Sequence, residues 1–256
     1  MSESYKIQSQ KTAAYYNSYQ QGYNEVYGDV IQAFRPSDTD ELMRTIAASA
    51  GLADGMRVLD AGCGIGGPAI WLAKRFKLNI LGVTISEVQV QEAKENIVKK
   101  ELSNSVKVVL GDFHELRNTA EHGGFDRVLF LESLGHAGEP ARAIAEAYEV
   151  LKPGGAIYIK DFYYKEPNDS YWRERVQKTI ANINKFYSYN TLGLIETIRA
   201  LRAVGFEVDF IRKFAFKDDI SIRFEFEKRF GIDIFGGETE FAPAEWLEIK
   251  CTKPNM

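Results

Sequence analysis

Between residues 56 and 162 the chain switches repeatedly between short apolar runs and amphipathic stretches. Runs at 56–61, 78–84, 105–110, 125–131 and 156–162 read as strands. VLFL and AIYI within them are apolar on both faces, as a parallel sheet covered by helices requires. The spacing between the runs predicts helices near 67–76, 86–100 and 139–151, with a short one near 113–121. Lys152-Pro153-Gly154-Gly155 is expected to stop the last of these and turn the chain into the fifth strand. Upstream, Pro36-Ser37-Asp38 opens a helix with Leu42, Ile46, Ala47 and Ala50 on one face and Gly51 as its stop. Residues 5–35 carry Tyr5, Tyr15, Tyr16, Tyr19, Tyr23 and Tyr27 and no strand signal. A helix packed on the core and an aromatic flap over an active site are both open there.

Past residue 162 the alternation breaks. Residues 163–190 read as a loop and a helix (about 171–187) rich in Tyr and Trp; a helix at 191–203 and a strand at 206–214 follow. A second insertion, 215–242, holds the run Ile220, Ile222, Phe224, Phe226. That run alternates like a strand, while its Glu, Lys and Arg content suits a helix equally. EWLEIKCT, 245–252, is the last strand.

With 256 residues, 45% of them hydrophobic, the chain can bury one α/β core with a cap rather than a full second domain. The expected organisation is a single domain, 1–256, with core 37–162, 191–214 and 243–256 and cap elements 1–36, 163–190 and 215–242. A net charge of −4 argues against nucleic acid as the partner. Cys63 and Cys251 fit neither a disulfide framework nor a metal site, and Cys63 reads as a small reduced filler in a turn. MSESYKIQSQ lacks the apolar core of a signal peptide and no run approaches membrane-spanning length, so a cytoplasmic protein without stable membrane insertion is expected. A homo-oligomer is compatible with the sequence.

The candidate chemistry centres on RVLDAGCGIGGPAIWL, residues 57–72, a strand, a glycine turn and a helix. Glycine lets such a turn adopt positive φ and approach a ligand, while the N–H groups of the following helix face whatever lies over it. Gly62, Gly64 and Gly67 also satisfy the dinucleotide fingerprint, so the glycines alone do not choose a cofactor. Three observations favour S-adenosylmethionine over NAD. Asp60, two residues before the glycines, suits the amino-acid end of that cofactor. An NAD site wants an acid about 20 residues further on, where this chain has Gly82-Val83-Thr84. Gly111-Asp112-Phe113 closes the third strand with a carboxylate and a ring where an adenine could lie.

LDAGCGIGGPA, GVTISEVQVQEA, LGDF, LESLGH and LKPGG together resemble the class I methyltransferases. They are most similar to the group of sterol, tocopherol and prenyl diphosphate C-methyltransferases and cyclopropane fatty acid synthases. The resemblance is strong over 56–162, faint in the N-terminal tyrosine-rich segment and absent from 163–242. It implies a Rossmann-like, seven-stranded, mostly parallel sheet whose last strand is antiparallel, with a helical cap from the N-terminus and the two insertions. It further implies that Asp60 and Gly62 meet the methionine end, Thr84, Ile85 and Gln89 the ribose, Asp112 and Phe113 the adenine, with Leu131 and Glu132 beside the sulfonium; Gly64 and Gly66 are also expected to bind the cofactor. Many relatives carry His-Gly where this chain has Ile31-Gln32-Ala33-Phe34, which puts the N-terminal contacts in question.

Glu132, at the end of an apolar strand, is the expected catalytic carboxylate: it would offset a developing cation and take a proton after C-methylation. His136 would orient Glu132 or the substrate, or cap the loop; His114 and His122 lie in a polar stretch and are expected to be solvated. The aromatic insertions suit an apolar small-molecule substrate, an isoprenoid or prenyl diphosphate above all. No His, Cys and carboxylate spacing suggests a resident metal, so Mg2+ would enter only with a diphosphate. The alternatives are an O- or N-methyltransferase of a phenolic or amine metabolite and a non-catalytic cofactor-binding partner. The intact glycine turn with Glu132 and Asp112 argues against the last.

Overall fold

The computed structural model describes residues 4–236 and 242–255; Gly237 to Phe241 of the second insertion and the first three residues of the N-terminal cap lie outside them. In chain order the elements are α1 (Ser4–Tyr27), α2 (Thr39–Ala50), β1 (Arg57–Ala61), α3 (Gly67–Arg75), β2 (Asn79–Thr84), α4 (Glu87–Lys99), β3 (Val106–Leu110) and β4 (Phe125–Leu131). There follow α5 (Pro140–Val150), β5 (Leu151–Tyr164), α6 (Ser170–Phe186), α7 (Leu194–Ala203), β6 (Glu207–Lys213), α8 (Ser221–Phe230) and β7 (Ala244–Thr252). Short 3₁₀ turns occupy Phe113–Asn118 and Leu134–His136.

The seven strands form one sheet in the order β3-β2-β1-β4-β5-β7-β6. The first five strands pair in parallel, and β7 runs antiparallel to both β5 and β6. A seven-stranded, mostly parallel sheet with its last strand antiparallel is what the resemblance implied. Two apolar layers cover its faces: β4 and β5 residues pack with α5 on one side, while α2, α3 and α4 close the other. Helix signals act as the sequence suggests. The Asp38 carboxylate caps α2 through Asp40 N–H, and Gly51 ends it in the left-handed region at φ 66°. Ser86 caps α4 by accepting from Gln89 N–H.

One expectation changes and one open reading is decided. Lys152–Gly155 is not a separate turn but a kinked start of β5, with Gly154 at φ 73° and a register shift against β4. The ambiguous second insertion forms helix α8, because Ile222, Phe226 and Phe230, four residues apart, share the face that meets the tyrosines of α1. Fully buried Phe226 stacks on Tyr23 with ring centroids 4.3 Å apart.

Candidate active site

The C-terminal ends of β1, β2, β3 and β4 open on one edge of the sheet, and the loops that follow them line a cavity of about 830 Å³. After β1 the chain turns at Gly62, Gly64 and Gly66, with φ of 87°, 54° and 79°. Gly62 and Cys63 N–H both bond to Val83 O of β2, at 2.8 and 3.1 Å, which fixes the turn against the sheet. Two glycines are needed for close approach. A Cβ at Gly62 would stand 2.5 Å from Ser133 Cβ, and one at Gly67 would collide with the backbone of Asp29. The segment after α1 therefore lies directly on the start of α3.

Asp60 faces this cavity and is 2% exposed. Its Oδ2 has no hydrogen-bond partner, and burial pushes the carboxyl up to about 7. An orphaned buried carboxyl fits the ammonium group, and the glycine cradle the carboxylate, of the amino-acid end of S-adenosylmethionine. Thr84, Ile85, Gln89, Asp112, Phe113 and Leu131 line the same cavity. Thr84 donates to Gln89 Oε1 at 2.6 Å, and Gln89 in turn donates to Gln20 of α1. Burial pushes Asp112 up, but hydrogen bonds from His114 and Ser9 outweigh it and hold the carboxyl below its ordinary value. His114 is thus not a solvated residue. It is 1% exposed, under the ring of Tyr5, with Nδ1 2.5 Å from Asp112 and Nε2 accepting from Glu139 N–H.

The helices α1, α6 and α8 close over the same edge. Beneath them lies a second, mostly aromatic cavity of about 1620 Å³, partly open to solvent. Four residues belong to both cavities: Tyr16, Ile31, Glu132 and His136. These four form the wall that the two cavities share.

Glu132 stands at φ 57°, in the left-handed region, which turns its carboxylate off the end of β4 and back toward the N-terminal segment. There it accepts from Ala33 N–H at 2.6 Å and Phe34 N–H at 3.2 Å, and it pairs with the ammonium of Lys160. Gln32 also donates to Leu131 O at 2.9 Å. Ile31 to Phe34 therefore secure the segment without the His-Gly of relatives. His136 is not hydrogen-bonded to Glu132. Its Nδ1 lies 3.0 Å from Ser188 O and its Nε2 2.9 Å from the Tyr16 hydroxyl. A carbonyl can only accept, so Nδ1 carries the proton and Nε2 accepts from Tyr16. Burial lowers His136 to about 4 and keeps it neutral, and burial with nearby Glu132 and Asp161 raises Tyr16.

Lys160 and Asp161, within β5, were missed in the sequence. Both are fully buried, and Asp161 accepts from Tyr189 OH, Phe162 N–H and Gly135 N–H. Burial raises Asp161 to about 7 and pulls Lys160 down, with Glu132 opposing the latter. The signal was present: a Lys-Asp pair inside AIYIKDF, a strand buried on both faces, has to be partnered. His122 is exposed, as expected, and Cys63 is buried and free. Among the described residues no group of three or more His, Cys, Asp or Glu could hold a metal ion.

A family profile described as a methyltransferase domain matches residues 52–204. The chain belongs to the class I methyltransferases. Among curated relatives, sterol 24-C-methyltransferases of Neurospora crassa and Candida albicans are 30% and 29% identical to it. These alignments take in 77% and 82% of this chain and 53% and 57% of theirs, so the chain spans about half the length of the curated relatives it matches. Among solved structures, the [4+2]-cyclase SpnF superposes with a TM-score of 0.79 at 24% identity, over 97% of each chain. Geranyl diphosphate C-methyltransferase from Streptomyces coelicolor A3(2) gives 0.68 at 18% identity, over 96% of this chain and 98% of that one. At such identities these two likenesses establish the shared fold.

Proposed function

We propose that this methyltransferase moves the methyl group of S-adenosylmethionine to a carbon of an apolar isoprenoid. The supporting observation is the meeting of two unlike cavities at Tyr16, Ile31, Glu132 and His136. One has an orphaned carboxyl and a glycine cradle; the other is walled by rings such as Phe34, Phe162 and Trp246. The sterol 24-C-methyltransferase relatives point to the same substrate class.

When bound, the cofactor supplies an activated methyl on a sulfonium. The protein's own residues align and shelter the reaction. Asp60 holds the cationic amino-acid end, and the roof of tyrosines excludes water. Attack by a carbon–carbon double bond leaves a carbocation on the substrate, which the ring faces and the fixed negative end of Glu132 stabilise. Glu132 accepts from three donors, one of them the Lys160 ammonium, which weakens it as a base, so it acts as the fixed negative end of that pair. Proton removal falls to Tyr16 and His136: the phenol oxygen takes the substrate proton as its own proton passes to Nε2. A weak base suffices because a proton beside a carbocation is a strong acid.

The described lining of the substrate cavity offers one cation, Arg223, against Glu132, Asp218 and Glu227. That favours an uncharged isoprenoid over a diphosphate, and turnover independent of Mg2+. A second reading, N-methylation of an amine, draws on the same carboxylates among rings, which also suit an ammonium group. The test is incubation with labelled S-adenosylmethionine and separate sterol, prenyl alcohol, prenyl diphosphate and amine substrates, with and without EDTA, followed by mass spectrometry. A methylated neutral isoprenoid formed in EDTA is the expected product. Methylation confined to amines, or to a diphosphate with Mg2+, would overturn the reading.

A further inference from the structure

Lys160 projects from β5 with no exposed surface, into a cage of Phe34, Phe214 and Trp246 whose ring centroids lie 5.7, 5.6 and 5.4 Å from its ammonium. Its donors go to Phe34 O, at 2.8 Å, and to the Glu132 carboxylate. Phe34, Trp246 and Glu132 are themselves cavity wall, and Lys160 stands behind them. A buried ammonium is costly, and an apolar residue filling the same cage would hold the wall without that cost. The position therefore asks for a reason beyond packing, and the charge of Glu132 at the crossing of the two cavities provides one.

We propose that Lys160 is a positioning residue that cancels the charge of Glu132 where the cavities meet, so that the sulfonium is held by shape and not by an ion pair. The inference rests on the cofactor reading above. A lone carboxylate at the crossing would attract the sulfonium most strongly before transfer, because the positive charge leaves sulfur as the methyl leaves. Such an interaction favours the bound reactant over the transition state and slows the reaction. Glu132 lines the cavity and Lys160 does not, so the pair faces the substrate as a dipole with its negative end forward, while leaving little net charge to trap the cofactor. Ala33 and Phe34 N–H fix the direction of the carboxylate, and Lys160 fixes its net effect.

The test is calorimetric binding of S-adenosylmethionine and S-adenosylhomocysteine to the full chain. The two differ in the sulfonium charge, so the ratio of their affinities reads the potential at the crossing. Lys160→Met should raise the preference for the sulfonium by roughly tenfold or more, and Glu132→Gln should lower it by a similar factor. The double variant Lys160→Met/Glu132→Gln should return the ratio to within about twofold of wild type. Lys160→Met alone leaves a buried carboxylate unpaired and can unfold the chain. The Glu132→Gln and double variants then carry the test. An unchanged ratio in Glu132→Gln, with both ligands weakened equally, or a double variant that does not restore the wild-type ratio after Glu132→Gln has lowered it, would mean that the pair is a structural pin and overturn the proposal. Wild-type protein that binds neither ligand would instead overturn the cofactor reading beneath it.

Discussion

Asp60 shows how much chemistry one residue can reveal. A buried carboxyl with an unpartnered oxygen is expensive, and it pulls a proton from water to relieve that cost, which raises it to about 7. Its contribution to stability is complete below the ordinary carboxyl value of 3.8 and is lost as pH rises through about 7. Cofactor binding should show the opposite slope. A cationic ligand needs the ionised form, so affinity should rise with pH up to about 7 and then level, with proton release in calorimetry below that point. Asp60→Asn should flatten the profile and weaken binding roughly ten- to a hundredfold, the worth of a hydrogen bond to a charged group. A pH-independent affinity in the wild type would remove Asp60 from the site. Tyr16 invites a second substitution. Tyr16→Phe keeps the ring and removes the hydroxyl bonded to His136, so turnover should fall about 10²–10⁴-fold with cofactor affinity changed only a few-fold. Near-normal turnover would dismiss the Tyr16–His136 relay. Asp60 and the glycines were legible because spacing after a strand places them; Tyr16 was not, since nothing in a tyrosine-rich helix says which ring meets a histidine 120 positions away. His114 misled because a polar neighbourhood in sequence became a buried bond to Asp112 once α1 folded over it.

At the scale of elements, α1 explains why the N-terminal stretch resisted reading. The face it buries is not aliphatic but made of Ser9, Thr12, Gln20 and tyrosines, so no apolar stripe announces it. Its partners are polar too. Ser9 donates to Asp112 at 2.6 Å, Asn17 accepts from Ser86 at 2.6 Å and Gln20 accepts from Gln89 at 2.8 Å, which fastens α1 across the cofactor cavity. On its other flank it packs on α8, with Gly22 under the ring of Phe230. A Cβ at Gly22 would fall 2.0 Å from that ring. Gly22→Val should therefore force the two roof helices apart and cost about 1–3 kcal/mol, seen as a lower unfolding midpoint in denaturant. An unchanged midpoint would show that Phe230 swings away freely. The ambiguity of 215–242 has a related cause: alternation and helical spacing are both present in Ile220 to Phe230, and only the tyrosines of α1 decide between them.

At the scale of the whole molecule, the strand order places the site. The chain moves outward from β1 to β2 and β3, then returns to β4 on the other side of β1, so the crevice between the two runs opens at their C-terminal ends. The parallel sheet was legible in five apolar strands with helices between them; the strand order was not. Nor was the coupling of the two cavities, because it depends on α1, α6 and α8 meeting over that crevice from three distant parts of the chain. Since α1 roofs one cavity and lines the other, the expectation is that either ligand braces the same helix. The first to bind bears that ordering cost, and the second binds to a roof already in place. An unreactive isoprenoid analogue should therefore raise the affinity for S-adenosylhomocysteine by about fivefold or more, and S-adenosylhomocysteine should raise that for the analogue by the same factor. Gly22→Val, which loosens α1 from α8, should reduce the factor toward one while leaving each ligand able to bind alone. Calorimetric titrations of each ligand with and without the other measure it directly. A factor of one in the wild type would mean that the roof is already rigid before either ligand arrives, and that the shared residues are neighbours without being a link.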